Sequence, residues 1–330
     1  MVTPERAALV ARAIPDFLLG MRHALAAGHT RTVLWYWEWI STYLWRHGRF
    51  AEYLECDRCA LAAAERLAAE EPAESRRLRA TICAELGFAH LELGDLAPAE
   101  RYVRLAEELY REAGDAREVA RALRYRATLH GYRGDYAAAA ALCREALDLL
   151  DAAAGRPGEA APDAMPLPLA RSPLHNLLGT LALERGDYTM ARRELIAALA
   201  LTRAAGADRA YWALAPLFNL GRVAQRQGAP RRAGRYYARC LALTADGTNP
   251  SIRAYALDEL ARLVAETARP GDGERRATAR RLAGEALALY EAMGKWRERA
   301  RAAAFLARLR QARPADRLHY PPERDGAREG

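Results

Sequence analysis

The side chains best suited to chemistry are a Cys-x-x-Cys pair, three histidines and a dense aromatic cluster. Cys56 and Cys59, in YLECDRCALAAA, have the spacing of a redox dithiol or half of a zinc site. The chain offers no second Cys-x-x-Cys, and the pair sits in helix-forming sequence, so two helix positions one turn apart are the expected reading. His90 and His130 recur at matching positions, and His175 precedes Asn176. These histidines read as packed, hydrogen-bonded helix residues, with a metal or acid–base pair as the competing possibility. The chain contains no phosphate loop with its lysine, no GxGxxG, no HExxH and no GxSxG elbow. We therefore expect no catalytic residues, no bound metal and no cofactor. The most unusual local feature is the run Trp35, Tyr36, Trp37, Trp39, Tyr43 and Trp45. Trp37 and Tyr43 suit packing within a helix pair. Trp35, Glu38, Thr42 and Trp45 fall three or four residues apart and so share one helix face. That face is either a stacking platform for a ligand ring or partner side chain, or core beneath the first helix.

The elements that must carry these residues are helices. Hydrophobic residues make up 51% of the 330, much of it alanine, while aromatics are 8%. Alanine favours helix and close helix contact, and the scarcity of β-branched residues argues against sheets. A glycine-centred turn recurs at Gly48-Arg49-Phe50, Gly94-Asp95-Leu96, Gly134-Asp135-Tyr136, Gly186-Asp187-Tyr188 and Gly228-Ala229-Pro230. The intervals are 46, 40, 52 and 42 residues, a period that marks a helical solenoid. Glycine ends one helix in the left-handed conformation, and the following aspartate can cap the next. Gly87, Gly179 and Gly221 each precede a turn glycine by seven residues. Alanines spaced seven apart follow the turns, as Ala99 and Ala106, Ala139 and Ala146, and Ala191 and Ala198. Small residues at both places predict close helix crossings.

The stretches Leu86-Gly87…His90…Gly94-Asp95-Leu96…Ala99…Ala106 and Leu178-Gly179…Gly186-Asp187-Tyr188…Ala191…Ala198 resemble tetratricopeptide repeats. The resemblance covers residues from about 30 to 312. The period is near 40 rather than 34, and the proline that often closes a repeat is mostly absent. Long-period arrays of this kind resemble those of bacterial signal-transducing ATPases and of maltose-type transcriptional activators. The opening AIPDFLLGMRHALAAGHTRTVLWYWEWISTYLWRHGRFAEYL is similar to the segment leading into such arrays. The expected fold is all-α, a right-handed α–α superhelix of about six hairpins plus a capping helix. Residues 1–28 form an opening helix and 29–312 the repeat array. The Pro/Gly-rich segment 155–168 is a loop between the third and fourth hairpins, and 313–330 is a disordered tail.

In the family the first helix of each hairpin faces an inner groove. Carried over to this chain, the resemblance places Phe88, Glu92, Arg121, Arg124, Thr128, Tyr132, Asn176, Thr180, Glu184, Phe218, Arg222, Gln225, Arg226, Tyr255, Asp258 and Arg262 there, with Trp35, Glu38 and Trp45 at one end. Arginines and an asparagine in such a groove suit an acidic peptide segment, a terminal carboxylate or a phosphate. The alternative is that an arginine-rich chain places arginine everywhere.

The formal charge is +8, with Lys295 the single lysine. Acidic and basic residues are interspersed and no long basic run occurs, so the expectation is against nucleic acid as a partner. No apolar run is long enough to span a membrane, no signal-peptide layout opens the chain, and five cysteines suit a reducing cytoplasm. Together these features point to a non-catalytic scaffold in bacterial regulation or signalling, with a protein or peptide partner. A sensor of a small-molecule effector or peptide signal within a transcriptional regulator is the second reading. An enzyme built on a helical array, using His90, His130, Glu92 and Tyr132, is the third.

Overall fold

The computed structural model describes residues 4–154, 165–206 and 210–312. Within them the chain forms fourteen α-helices, one short 3-10 turn at Leu67–Ala69, and no strand. It divides into two compact units, one of residues 1–115 with the turn 246–248, the other of 116–245 and 249–330.

The first unit holds α1 (Pro4–Ala26), α2 (Thr30–Arg46), α3 (Phe50–Arg66), α4 (Pro72–Leu93) and α5 (Leu96–Ala113). Helix α1 packs on both α2 and α3; α2 pairs with α3 and α4 with α5. Ile14, Leu18 and Met21 of α1 meet Val33, Trp37, Ile40 and Leu44 of α2, and Tyr53, Ala60 and Ala64 of α3, in one buried cluster. The second unit holds α6 (Ala116–Tyr132), α7 (Tyr136–Ala154), α8 (Leu167–Glu184), α9 (Tyr188–Ala204), α10 (Ala210–Arg226), α11 (Pro230–Leu243), α12 (Pro250–Thr267), α13 (Gly273–Ala292) and α14 (Trp296–Gln311). Each consecutive pair from α6–α7 to α12–α13 forms a hairpin, its second helix packs on the next first helix, and α14 packs on α13. Two hairpins in one unit and four in the other give the expected six, with α14 as the added last helix.

Small residues make these pairings possible. A Cβ added at Gly179 would lie 2.7 Å from Leu195 Cγ and 3.1 Å from the Ala191 carbonyl oxygen, so only glycine admits α9 at this distance. Gly87 against Val103 and Gly221 against Tyr237 repeat the arrangement, each with a gap of 2.5 Å. The facing alanines, Ala99, Ala106, Ala139, Ala146, Ala191 and Ala198, are fully buried. The turn glycines take positive φ, Gly94 at 79° and Gly186 at 80°.

The turn aspartates behave differently from one another. Asp187 Oδ1 accepts from the Met190 N–H at 2.9 Å and Asp135 Oδ1 from the Ala138 N–H at 3.1 Å, as helix caps do. Asp95 makes no side-chain cap bond to α5. Its Oδ2 lies 3.4 Å from His90 Nδ1, a relation repeated between Asp135 and His130. The anticipated loop at 155–168 lies outside the described residues up to 164, and α8 has begun by Leu167. The anticipated tail also lies outside them.

Candidate functional site

In the first unit, α2 divides its aromatics by helix face. Trp37 points inward, 8% exposed, and its Nε1–H donates to Asp57 Oδ1 at 2.8 Å. Trp35 and Trp39, one turn apart, point outward at 51% and 69% exposure, with ring centroids 5.9 Å apart. Tyr36 braces the pair: it lies 5.4 Å from Trp35 and 5.8 Å edge-on to Phe17 of α1. Glu38 is exposed beside them. Trp45 is half-buried and meets Phe88 of α4 edge-on at 6.0 Å. The structure therefore separates Trp35 from Trp45. It pairs Trp35 instead with Trp39, which the i, i+3, i+7 selection from Trp35 passed over although an i, i+4 step finds it. Glu92, also on α4, is half-buried.

In the second unit, the first helices α8, α10 and α12 are cross-linked by the side chains expected to face a ligand. Asn219 of α10 donates through Nδ2 to Asn176 Oδ1 and to Thr180 Oγ1 of α8, both at 3.1 Å. Arg222 donates to Glu184 Oε1 at 2.7 Å, with the two side chains only 12% and 8% exposed. Gln225 donates to Glu259 of α12 at 3.2 Å and accepts from the Tyr237 hydroxyl at 2.8 Å. Phe218 lies 5.9 Å from Tyr255, whose hydroxyl accepts from Lys295 Nζ at 3.0 Å. Arg262 is buried, bonded to Asp258 at 3.3 Å and stacked 4.6 Å over Phe305. Asn219, at 7% exposure, is the hub of the α8–α10 link and was not selected from sequence. Its spacing of three from Arg222 was the available signal.

Helix α6 differs. Arg121 is tied to Glu118 of its own helix. Arg124 is half-buried, and its guanidinium carbon lies 4.3 Å from the centre of the Tyr125 ring, without an ion pair among the described residues. Tyr132, at the end of the same helix, is 45% exposed. An arginine held by stacking keeps its donor edge available to an acceptor.

The other reactive types are enclosed. Burial pushes the thiols of Cys83, Cys143 and Cys240 up to about 12, and that of Cys56 higher still, so none is a thiolate at neutral pH. Cys56 is buried in α3 while Cys59, one turn on, is part-exposed. Burial lowers the His90 imidazole below its usual range, against the opposing effect of Asp95. His175 Nδ1 lies 2.8 Å from Glu194 Oε2 across the α8–α9 pair. No group of three or more His, Cys, Asp or Glu among the described residues is placed to hold a metal ion. No described helix is long and apolar enough to cross a membrane.

Hairpins joined by glycine turns, crossing at glycine and alanine, define a tetratricopeptide-like all-α solenoid. Residues 170–246, which span α8 to α11, match the tetratricopeptide repeat family profile. Among solved structures, the chain is similar to a Rap protein complexed with competence and sporulation factor, at 12% identity and a TM-score of 0.56, covering 85% of this chain and 75% of that one. It is similar to the apo form of RapI at 14% identity and a TM-score of 0.51, covering 84% and 97%. It is also similar to the apo quorum sensor NprR from B. thuringiensis, at 13% identity and a TM-score of 0.51, covering 93% and 85%. At these identities the likeness is one of fold. No curated protein matches the sequence.

Proposed function

We propose that this chain is a non-catalytic scaffold in regulation that binds a protein or peptide through the first helices of its hairpins. The observation that carries the reading is the Trp35–Trp39 pair: two large aromatics, 51% and 69% exposed, braced by Tyr36 on a packed helix. Keeping such rings in water is unfavourable unless a partner covers them, and tryptophan is the residue most enriched among binding hot spots. Because α2 is already ordered, little conformational entropy remains to be lost on binding. The Rap structure bound to competence and sporulation factor and the quorum sensor NprR, both of similar fold, support a regulatory role of this kind.

The finer proposal concerns charge. Arg222 is paired with Glu184 of α8, and Arg262 with Asp258 of its own helix and the Phe305 ring of α14, so both are taken up inside the fold. Arg124, with Tyr132 on the same helix, is the residue of the set suited to an acidic side chain or terminal carboxylate. Selection of a random displayed-peptide library on the intact protein tests both parts. Enriched sequences should carry an apolar anchor, and a fraction an acidic group. Peptides that hold equally well to Trp35→Ala/Trp39→Ala protein would defeat the aromatic reading. Peptides indifferent to Arg124→Glu would defeat the acidic one.

A further inference from the structure

The chain's net charge is concentrated in its last two described helices, α13 and α14. Residues 273–312 contain ten basic and four acidic residues, a net +6 of the chain's +8. Residues 1–272 carry only +2. Helix α14 is the centre of this asymmetry. It buries Ala302, Phe305, Leu306 and Leu309 and leaves all five of its arginines, 297, 299, 301, 308 and 310, exposed. Its one carboxylate, Glu298, is half-buried and turned to the Tyr255 hydroxyl at 3.5 Å. Glu291 of α13 lies 3.7 Å from Arg299, an ion pair in which both side chains are more than half exposed and so weakly held.

Helical spacing sorts the exposed residues into three strips. At about 100° per residue, Arg297, Arg301 and Arg308 fall along one edge, and Arg299 and Arg310 along the other. Between them lie Ala300, Ala303, Ala304 and Ala307, all exposed, on the side opposite the buried stripe. Trp296, 55% exposed with Arg297 5.0 Å over its ring, stands at the N-terminal end of this shallow alanine trough. From Arg297 to Arg310 the trough is about 20 Å long.

We propose that the outer face of α14 docks an acidic amphipathic helix of a protein partner. Alanines let a second helix approach closely, and Trp296 closes one end against an apolar side chain. Arginine rows on both edges meet glutamates or aspartates flanking the partner's apolar seam, as edge charges do in paired helices. The trough also argues against the other polyanions. A nucleic-acid backbone gains nothing from a strip of alanines, and a membrane surface calls for large apolar side chains where this face has methyl groups. None of these residues is among those invoked on α2 and α6, so failure here leaves the function proposed above untouched.

The test uses the full chain and designed peptides about three heptads long. One carries a leucine–alanine seam flanked by glutamate, a second has the same composition with the seam scrambled, and a third has lysine for glutamate. The first should bind at least about tenfold more tightly than either of the others. Its affinity should fall as salt rises. It should be lost in Arg297→Glu/Arg301→Glu/Arg308→Glu protein and in Ala304→Glu, a single exposed change that leaves folding intact by circular dichroism. Equal binding of the scrambled peptide would overturn the proposal, as would indifference to Ala304→Glu. Tighter binding of a single-stranded oligonucleotide of about 20 bases would assign the face to nucleic acid instead. Self-association abolished by the same variants would assign it to a second copy of this chain.

Discussion

Trp37 of α2 and Asp57 of α3 are joined by a 2.8 Å hydrogen bond in the core of the first unit, and the second oxygen of that carboxyl is buried without a hydrogen-bond partner. Asp57 is fully inaccessible; burial first, and the neighbouring Glu85 second, push its carboxyl well above the usual range. The folded protein therefore holds this proton to higher pH than the unfolded chain, which releases it near pH 4. Above that value the folded state binds more protons than the unfolded state. Stability must fall with rising pH by up to about 1.4 kcal/mol per unit until the folded value is reached. Urea midpoints for wild type and Asp57→Asn should diverge in the variant's favour as pH rises from acid to neutral. Parallel curves would show that Asp57 is charged when folded.

The close crossing of α8 and α9 gives a second expectation. Gly179→Ala gains about 1 kcal/mol of helix propensity. It also forces a methyl to 2.7 Å from Leu195 and 3.1 Å from a backbone oxygen that cannot move aside. Overpacking should win, for a net loss on the order of 1–2 kcal/mol. A raised melting temperature would mean that the two helices can separate without loss.

Arg222 and Glu184 should act as one structural unit. Removing the arginine leaves a carboxylate that is 8% exposed without its partner, which costs roughly 3 kcal/mol or more. Arg222→Met/Glu184→Leu should recover most of that loss, since the pair contributes little beyond an apolar contact of similar size. A double variant as unstable as Arg222→Met alone would contradict this view.

Thiol accessibility gives a fourth check. Cys56, Cys83, Cys143 and Cys240 are buried and Cys59 is part-exposed. Titration of the native protein with a disulfide reagent at mildly alkaline pH should modify Cys59 first, and the other four on the timescale of unfolding. Rapid reaction of Cys56 together with Cys59 would revive a dithiol role for the pair.

Much of the fold was legible because its determinants are local. A glycine that must adopt positive φ, and an alanine or glycine where two helices cross, announce themselves by type and spacing. Gly94, Gly186, Ala139 and Ala191 occupy the places their spacing implied. The site was less legible because its partners are distant. The family resemblance placed Arg222 on the first helix of a hairpin, but nothing near it names Glu184, 38 residues earlier on another helix. Asp57 sits between two cysteines whose spacing drew attention away from it, and its burial follows from the way α2 leans on α3. The charge of α14 is hidden in a chain-wide balance of 50 basic against 42 acidic residues, and only the folded helix separates its buried from its exposed positions.

The central claim is that α2 presents its outward tryptophans to a partner. Isothermal titration of a display-selected peptide into wild-type and Trp35→Ala/Trp39→Ala protein measures it most directly. Both rings are exposed, so the variant should fold normally. The account predicts a dissociation constant at least about tenfold weaker in the variant, from the loss of two hot-spot side chains. An unchanged constant would place the binding surface elsewhere on the molecule.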